Sequence, residues 1–278
     1  MKTNKFLIRL AQLAIVLAIL TMGMIYPFLS GEYDSLAMPL SIIIQGVGVA
    51  GLLLSVTGIF WFIIPGKFRF FAKTSVYLAS VLTLIFTFLA YLLAGIVFGV
   101  FLFAIFAMIV LRMNKTLNKH IREESFSFVP VSMIAIPLYL LIIQLIIAKP
   151  ITDQSRERTI TNAGEYIQDI ESFQSKYGYY PKAIQAMYKD YHPQTIGVEK
   201  FHYLPCNHSY NISFEQPRFL LDRIGTREWV VYNPKDEQRV YSHTSWFLLL
   251  PPEESEIQQG WYSSENTGIK HWKSFLFD

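Results

Sequence analysis

The sequence predicts two parts: an all-α membrane bundle of five transmembrane helices, then an α+β domain with a long helix packed on an antiparallel sheet. Apolar runs of membrane-spanning length dominate the first half of the 278 residues. Charge is uneven, with 11 Lys and Arg against 4 Asp and Glu in 1–150, but 13 against 17 in 151–278. Short alternating runs with turn residues follow Pro150. We therefore divide the chain into a bundle, 1–149, and a domain, 150–278.

The spans are predicted from apolar runs of about 20 residues, the length that crosses a bilayer core. The run Thr74–Leu111 has 38 residues without a charge. At about 1.5 Å per residue, one helix of this length exceeds a core about 30 Å thick. We therefore expect a turn near Ala94 and Gly95. The predicted spans are 10–29, 38–64, 74–93, 95–111 and 128–148.

The topology follows from three basic clusters, because Lys and Arg of short loops stay in the cytoplasm. The clusters are Lys2, Lys5 and Arg9; Lys67, Arg69 and Lys73; and Arg112, Lys115, Lys119 and Arg122. If all three are cytoplasmic, the chain crosses five times and 150–278 lies outside the cytoplasm. The first run is expected to be retained, since no A-x-A cleavage site follows it.

Polar residues are few within the predicted spans. The largest are Gln12, Gln45 and Gln144, which we expect to form hydrogen bonds between helices. No Asp, Glu, Lys or His lies at a span centre, and this disfavours a transporter, which usually needs an ionisable group there.

Glycine spacing in the spans predicts close helix packing. The segment GVGVAG at 46–51 matches the dinucleotide pattern G-x-G-x-x-G, but that site requires a strand followed by a helix in water. We therefore expect helix contact through Gly46 and Ala50, and a similar face through Gly95 and Gly99.

The domain is predicted to begin with a one-sided helix over 153–176. Its apolar face is Ile160, Ala163, Ile167, Ile170 and Phe173. Gly178 is expected to end the helix, and Pro181 to begin a short one reaching about Tyr188. Antiparallel strands are predicted at 200–205, 209–215, 228–233 and 238–243, with more near 260–263 and 270–277.

The stretch FQSKYGYYPKAIQAM at 173–187 resembles the corner of the globular head of type II secretion major pseudopilins. That family has a helical aromatic residue, then Gly, one residue, Tyr-Pro and a hydrophobic turn. The matching residues are Phe173, Gly178, Tyr180, Pro181, Ile184 and Met187. The resemblance covers about 155–215 and implies a pilin-like fold on the outer side of a bacterial inner (cytoplasmic) membrane. The leader-peptidase site, its Glu and the calcium loop of that family are not recognisable, so no site is carried over.

The tightest group of potential ligands or nucleophiles is His202, Cys206 and His208. A metal site needs three or four convergent groups, and a Cys nucleophile needs a base and an orienting partner. Because Pro205 interrupts a single strand, we favour ordinary strand and turn roles. We expect neither metal nor cofactor, and the catalytic residues are unknown.

The leading hypothesis is a binding or assembly component whose partners are the lipid bilayer and a membrane or periplasmic protein, or a second copy. Nucleic acid is not an expected partner. The alternative is a membrane-embedded enzyme that uses His202, Cys206 or His208 at its outer face. A transporter is the third hypothesis.

Overall fold

The computed structural model forms two compact units. It describes residues 2–64, 68–123, 128–187, 189–206, 208–222, 226–238, 240–241, 246–247 and 262–277. The first unit comprises Met1–Tyr26 and Ser35–Ile147, and the second Pro27–Asp34 and Ala148–Asp278.

The first unit is helical. Its helices are α1 (Lys2–Ile25), α2 (Ala37–Ala50), α3 (Leu52–Ile63), α4 (Phe68–Glu123) and α5 (Val129–Asn162), whose end belongs to the second unit. Within the described residues, four helical stretches are long and apolar enough to cross a membrane: Phe6–Phe28, Ala37–Trp61, Arg69–Thr116 and Val129–Tyr177. The predicted count of five is therefore not confirmed by length and composition.

Helix α4 breaks at Gly95, whose φ of 83° and ψ of 178° are not helical. The rings of Phe86 and Phe106 lie with centroids 6.3 Å apart, although twenty residues of straight helix would span about 30 Å. A Cβ added at Gly99 would lie 3.1 Å from the Cβ of Tyr91. The two arms of α4 therefore fold back on each other. The break lies where the sequence predicts a turn.

A buried chain of hydrogen bonds links α5, α2 and α1. The amide of Gln144 donates to Gln45 Oε1 at 2.9 Å, and the amide of Gln45 donates to Ser41 Oγ at 2.8 Å. Ser41 in turn donates to the carbonyl of Met24 at 2.5 Å. The predicted bonds between helices are thus confirmed for Gln45 and Gln144, whereas Gln12 is exposed.

Close helix packing uses Gly46 and Gly48 on opposite sides of α2. A Cβ at Gly46 would lie 2.8 Å from the ring of Phe86, and one at Gly48 would lie 3.0 Å from Leu140 Cβ on α5. The glycines of GVGVAG therefore serve packing inside the bundle. The packing face predicted through Gly95 and Gly99 does not include Gly95: this residue forms the turn that is also predicted there, and no atom lies within 4 Å of a Cβ placed on it.

The second unit is an α+β structure. It contains the end of α5, then α6 (Gly164–Tyr177), and five antiparallel strands in the order β1-β2-β3-β7-β6. These are β1 (His202–Cys206), β2 (Ser209–Gln216), β3 (Arg227–Tyr232), β6 (Tyr262–Asn266) and β7 (Trp272–Phe277), beside a two-stranded sheet of β4 (Val240–Tyr241) and β5 (Trp246–Phe247).

The sheet departs from the predicted strand arrangement at the stretch 238–243. Among the described residues of this stretch, Val240 and Tyr241 are extended, and they pair with β5. Strand β3 pairs instead with β7, Tyr232 opposite Trp272. Packing explains the exchange, because β7 places Trp272 in the core beside Tyr232, with ring centroids 5.3 Å apart.

The apolar face of α5 and α6 packs on this sheet. Ile160, Ala163 and Ile170 are buried as the spacing predicts, and Ile167 packs beside them. The helix is interrupted at Ala163 and ends at Gly178, which is left-handed with φ 79°. Beyond it, a 3₁₀ helix spans Ile184–Met187, shorter than expected.

A segment between α1 and α2 completes this unit. The amides of Gly31 and Asp34 donate to the carbonyls of Gln194 and Ile196, at 3.2 and 3.0 Å. The amide of Ile196 donates back to Leu29 at 3.0 Å. The sequence prediction places residues 27–29 at the end of the first span and the following residues in a loop, but the first helix ends at Ile25 and residues 27–34 belong to the second unit. Hydrogen bonds to a segment over 150 residues away leave no local pattern.

Candidate functional site

A polar cleft of about 540 Å³ opens on the second unit, between the end of α5, the loop after β2 and the β6–β7 turn. Ligand sites commonly have volumes of about 300–1,000 Å³. Its charged lining residues are Lys149, Asp153, Arg156, Glu157, Arg218, Asp222, Glu228 and Glu265. Three cations face five carboxylates, so the lining carries a net charge of −2.

Six of these charges form an alternating chain of ion pairs. Lys149 contacts Asp153 at 2.8 Å, and Asp153 contacts Arg156 at 2.8 Å. Arg156 contacts Glu228 at 2.7 Å. The chain continues from Glu228 to Arg218 at 3.3 Å and from Arg218 to Asp222 at 2.8 Å. Because these six charges cancel, the net charge of the lining equals that of Glu157 and Glu265.

Glu228 is the centre of this chain and is 1% exposed. Its Oε1 accepts hydrogen bonds from Arg156 Nε at 2.9 Å and from the Ser274 hydroxyl at 2.6 Å. A buried carboxylate requires such partners, because an unpaired buried charge costs several kcal/mol. The network therefore fixes α5 to the sheet at the floor of the cleft.

Local geometry explains how distant residues meet here. Lys149, Asp153 and Arg156 follow one another at spacings of four and three, so they lie on one face of α5. Glu228 lies on β3, and Ser274 lies on the paired strand β7, opposite Val230. Arg218 comes from the loop after β2. The spacing along α5 could have indicated that Lys149, Asp153 and Arg156 form one cluster. Only the folded sheet brings Glu228 to that cluster.

The charges of the cleft shift the pKa values of two rim residues in opposite directions. Burial raises the pKa of Asp153, but hydrogen bonds and charges of Lys149 and Arg156 outweigh it, so the pKa lies below its usual range. The hydrogen bond to Asp153 raises the pKa of Lys149. Both groups therefore stay charged near neutral pH.

A polar atom with no partner lies in the wall of the cleft. The hydroxyl of Thr152 has no hydrogen-bond partner among the described residues, although the residue is 2% exposed. A buried hydroxyl without a partner is uncommon in native structures and calls for a physical explanation. Its oxygen is itself inaccessible to solvent, so it is a polar atom inside the wall rather than a group open to a ligand.

The sequence-predicted candidates His202, Cys206 and His208 lie away from the cleft, on the hairpin of β1 and β2. Cys206 pairs with Ser209 beside the turn that holds His208, whereas His202 pairs with Ser213 at the far end. At about 3.4 Å per residue, His202 and Cys206 are about 14 Å apart along the strand. The side chain of Cys206 lies outside the described part.

His202 has a local role instead. Its ring makes an edge contact with Trp229, at a centroid distance of 5.1 Å. Desolvation lowers the pKa of His202, and the charge of Lys200 lowers it further. Pro205 is tolerated in β1 because this strand is at the edge of the sheet. The described residues contain no group of three or more His, Cys, Asp or Glu that could hold a metal ion.

Comparison with known proteins yields no relative. No protein-family model, no curated protein and no solved structure matches the chain.

Proposed function

We propose that the chain is an integral protein of the bacterial inner membrane that crosses it five times. It presents the pilin-like domain of residues 150–278 outside the cytoplasm and acts by binding or assembly. The observation that carries the proposal is the backbone pairing of residues 27–34 with residues 194–197.

This pairing supports an odd number of crossings. Residues 27–34 follow the first apolar helix, and residues 194–197 follow the last. Because the two segments are hydrogen-bonded, both lie on one side of the bilayer, so the chain between them crosses an even number of times. If α4 crossed once, the stretches 37–63, 68–123 and 129–147 would give three crossings.

The break at Gly95 supplies the fourth crossing between them. With α4 folded into two arms, the chain crosses four times after residue 34 and once before residue 27, giving five. The basic clusters near residues 2–9, 67–73 and 112–122 then all lie in the cytoplasm, as the positive-inside rule requires. The backbone pairing, the break at Gly95 and the basic clusters are three independent observations that support this topology.

Binding rather than catalysis is favoured by the polar cleft. Six of its eight charged groups are paired with one another, which suits recognition of a ligand more than activation of a nucleophile. We also propose that the partner is a lipid or protein at the outer membrane surface, because the cleft begins at Lys149, the first charged residue after the last apolar run.

Reporter fusions test this topology. An enzyme active only outside the cytoplasm is fused after residue 278, and in separate chains after residues 66, 94 and 124. We expect activity after 278 and 94, and none after 66 or 124. Activity after 124 together with none after 278 would contradict five crossings. Pull-down of the intact chain from mild detergent tests assembly, and recovery as a lone monomer without lipid would contradict it.

A further inference from the structure

The first helix, α1, has one face packed inside the bundle. The residues on this face, each buried or half-buried, are Leu13, Leu17, Leu20 and Met24. The hydroxyl groups of Thr21 and Tyr139 lie 3.0 Å apart, which links α1 to α5. These contacts fix which side of α1 faces the other helices of the bundle.

The opposite face of α1 is exposed and follows a seven-residue repeat. Between 54% and 64% of the surface is exposed in Ile8, Ile15, Ile19 and Met22. Together with Gln12, which is also exposed, these residues follow one another at alternating intervals of four and three. We call these five residues the α1 stripe. Their spacing is that of the seam of a left-handed helix pair, in which each seam residue inserts between residues of the facing helix.

Small residues accompany the α1 stripe. Ala11 and Ala18 lie seven residues apart, directly before Gln12 and Ile19, and both are exposed. Helices in a membrane associate through close packing, and small residues at the interface allow their backbones to approach. The stripe therefore has the character of a helix-packing surface, although no helix in the described part of the chain covers it.

Gln12 is the observation that requires a partner for this face. It is the one side-chain amide in the apolar helical stretch Phe6–Phe28. Gln45 and Gln144 are hydrogen-bonded to each other, whereas the side chain of Gln12 makes no hydrogen bond with the described residues. Because lipid tails offer no hydrogen bonds, amides within membrane spans commonly bond to a neighbouring helix.

A second copy of the chain supplies this partner. All copies of the chain are inserted in one orientation, because the same basic clusters orient each of them. Two α1 helices that meet on a two-fold axis are therefore parallel, and Gln12 faces Gln12. A carboxamide both donates and accepts hydrogen bonds, so this pair is self-complementary. A single polar residue in an apolar seam also fixes the register of the two helices.

We propose that the chain forms a parallel homodimer through the α1 stripe, in which the amide of Gln12 is hydrogen-bonded to Gln12 of the second copy. Each dimer then presents two copies of the domain 150–278 on the same side of the membrane. This inference deepens the assembly part of the proposed function and rests on its placement of α1 in the bilayer.

The strength of the dimer tests the role of Gln12. Subunits of the full-length protein are counted by single-molecule photobleaching in liposomes over a range of protein-to-lipid ratios. Gln12→Leu should weaken the dimer about three- to twentyfold, the range that corresponds to a hydrogen bond between membrane helices. Gln12→Asn keeps an amide and should weaken it less. A wild-type protein that is monomeric at every ratio would overturn the proposal, and so would a Gln12→Leu dimer of undiminished strength.

Disulfide cross-linking locates the interface on α1. The background is Cys206→Ser, which removes the one native cysteine. Ile15→Cys and Ile19→Cys in the stripe should form disulfide-linked dimers on oxidation. Leu10→Cys and Ala14→Cys are the matched controls, because both positions are exposed on α1 but lie outside the stripe. Controls that cross-link as fast as the stripe positions would overturn the assignment of the interface.

Photo-cross-linking in intact cells separates a second copy from a different membrane protein. A photoreactive side chain at position 15 should yield a product that contains two identical chains. A product with another protein, and none with a second copy, would overturn the proposal. Protease access to the domain is measured in spheroplasts of the same cells. A monomeric chain that is recovered with another protein or with lipid, and whose domain lies on the outer side, refutes only this inference. A domain on the cytoplasmic side refutes the proposed function.

Discussion

The rings of Phe28 and Phe219 stack with centroids 4.4 Å apart and an interplanar angle of 8°. Phe28 lies directly after the first apolar helix, and Phe219 lies in the loop after β2, yet both are almost fully buried. Arg158 on α5 donates to the carbonyl of Phe28 at 3.0 Å. The unit that contains the sheet is therefore assembled from two distant parts of the chain.

Truncation of Phe28 tests this assembly. Phe28→Ala removes a buried ring and leaves a cavity against Phe219, so we expect a loss of about 3–5 kcal/mol in the free energy of unfolding of the sheet-containing unit. Hydrogen exchange of β2 and β3 in the full-length protein measures it. Tyr179→Ala is the control, because Tyr179 is exposed and should change stability by less than about 0.5 kcal/mol. Equal losses of stability in the Phe28→Ala and Tyr179→Ala variants would contradict the packing of Phe28 against Phe219.

The backbone of Gly95 predicts a second effect. Its φ of 83° with ψ of 178° is adopted almost solely by glycine, so Gly95→Ala should destabilise the bundle by about 1–3 kcal/mol. No atom lies within 4 Å of a Cβ there, so the cost is conformational rather than steric. Gly164→Ala is the matched control, since that site is also open but helical and should be neutral or slightly stabilising. Thermal unfolding in detergent compares them, and similar midpoints for both variants would contradict the turn.

The buried carboxylate of Glu228 predicts a third effect on stability. Glu228→Gln leaves Arg156 and Arg218 without their shared anion in a buried site, which should cost about 3–5 kcal/mol. Denaturant unfolding of the full-length protein measures the loss. Glu199→Gln, at an exposed position, should change stability by less than about 0.5 kcal/mol. A Glu228→Gln protein as stable as this control would show that the network is dispensable.

The polar chain in the bundle predicts coupling between Gln45 and Gln144. Each change to Leu removes one partner of their hydrogen bond, whereas the double variant removes both. Bonds of this kind between membrane helices contribute about 0.6 kcal/mol on average. We therefore expect the double variant to be more stable than the sum of the single losses predicts, by about 0.6–1.7 kcal/mol in a double-mutant cycle. Strict additivity would exclude the bond.

Asp169 should make the stability of the protein depend on pH in the acidic range. Hydrogen bonds from Lys189 and Tyr191 lower the pKa of this carboxyl below its usual range. A lowered folded-state pKa gives stability that is present above the unfolded pKa of about 3.9 and is lost as the pH falls through the folded value. The difference in thermal midpoint between wild type and Asp169→Asn should therefore be constant above about pH 5 and shrink as the pH falls below the unfolded value of about 3.9. A difference that stays constant as the pH falls would contradict these hydrogen bonds to Asp169.

Local patterns in the sequence account for much of the fold. Uninterrupted apolar runs predict the bundle helices, because crossing lipid requires a certain length without charge. Gly178 predicts the end of α6, and Gly95 the break in α4, because both positions need a backbone that side chains disfavour. Periodic apolar residues such as Ile160 and Ile170 predict the buried helix face. In each of these cases the cause lies within a few residues of its effect.

The sequence did not predict the cleft. It indicated His202, Cys206 and His208 as the candidate group, and these residues are close in sequence but spread along one hairpin. Lys149 and Arg218 lie far apart in sequence from each other, and both line one cleft only because Arg156 of α5 pairs with Glu228 of β3. The spacing of charged residues along the sequence does not indicate which of them form ion pairs in the fold.

By itself, then, the sequence determined where the chain is apolar, where it turns and which helix faces are buried, since these depend on local composition and spacing. The tertiary structure alone decided that residues 27–34 complete the sheet-containing unit and that Glu228 is surrounded by two arginines. The physical reason is that long-range hydrogen bonds and ion pairs depend on which segments the fold brings together, and pairing of this kind leaves no mark in any short stretch of residues.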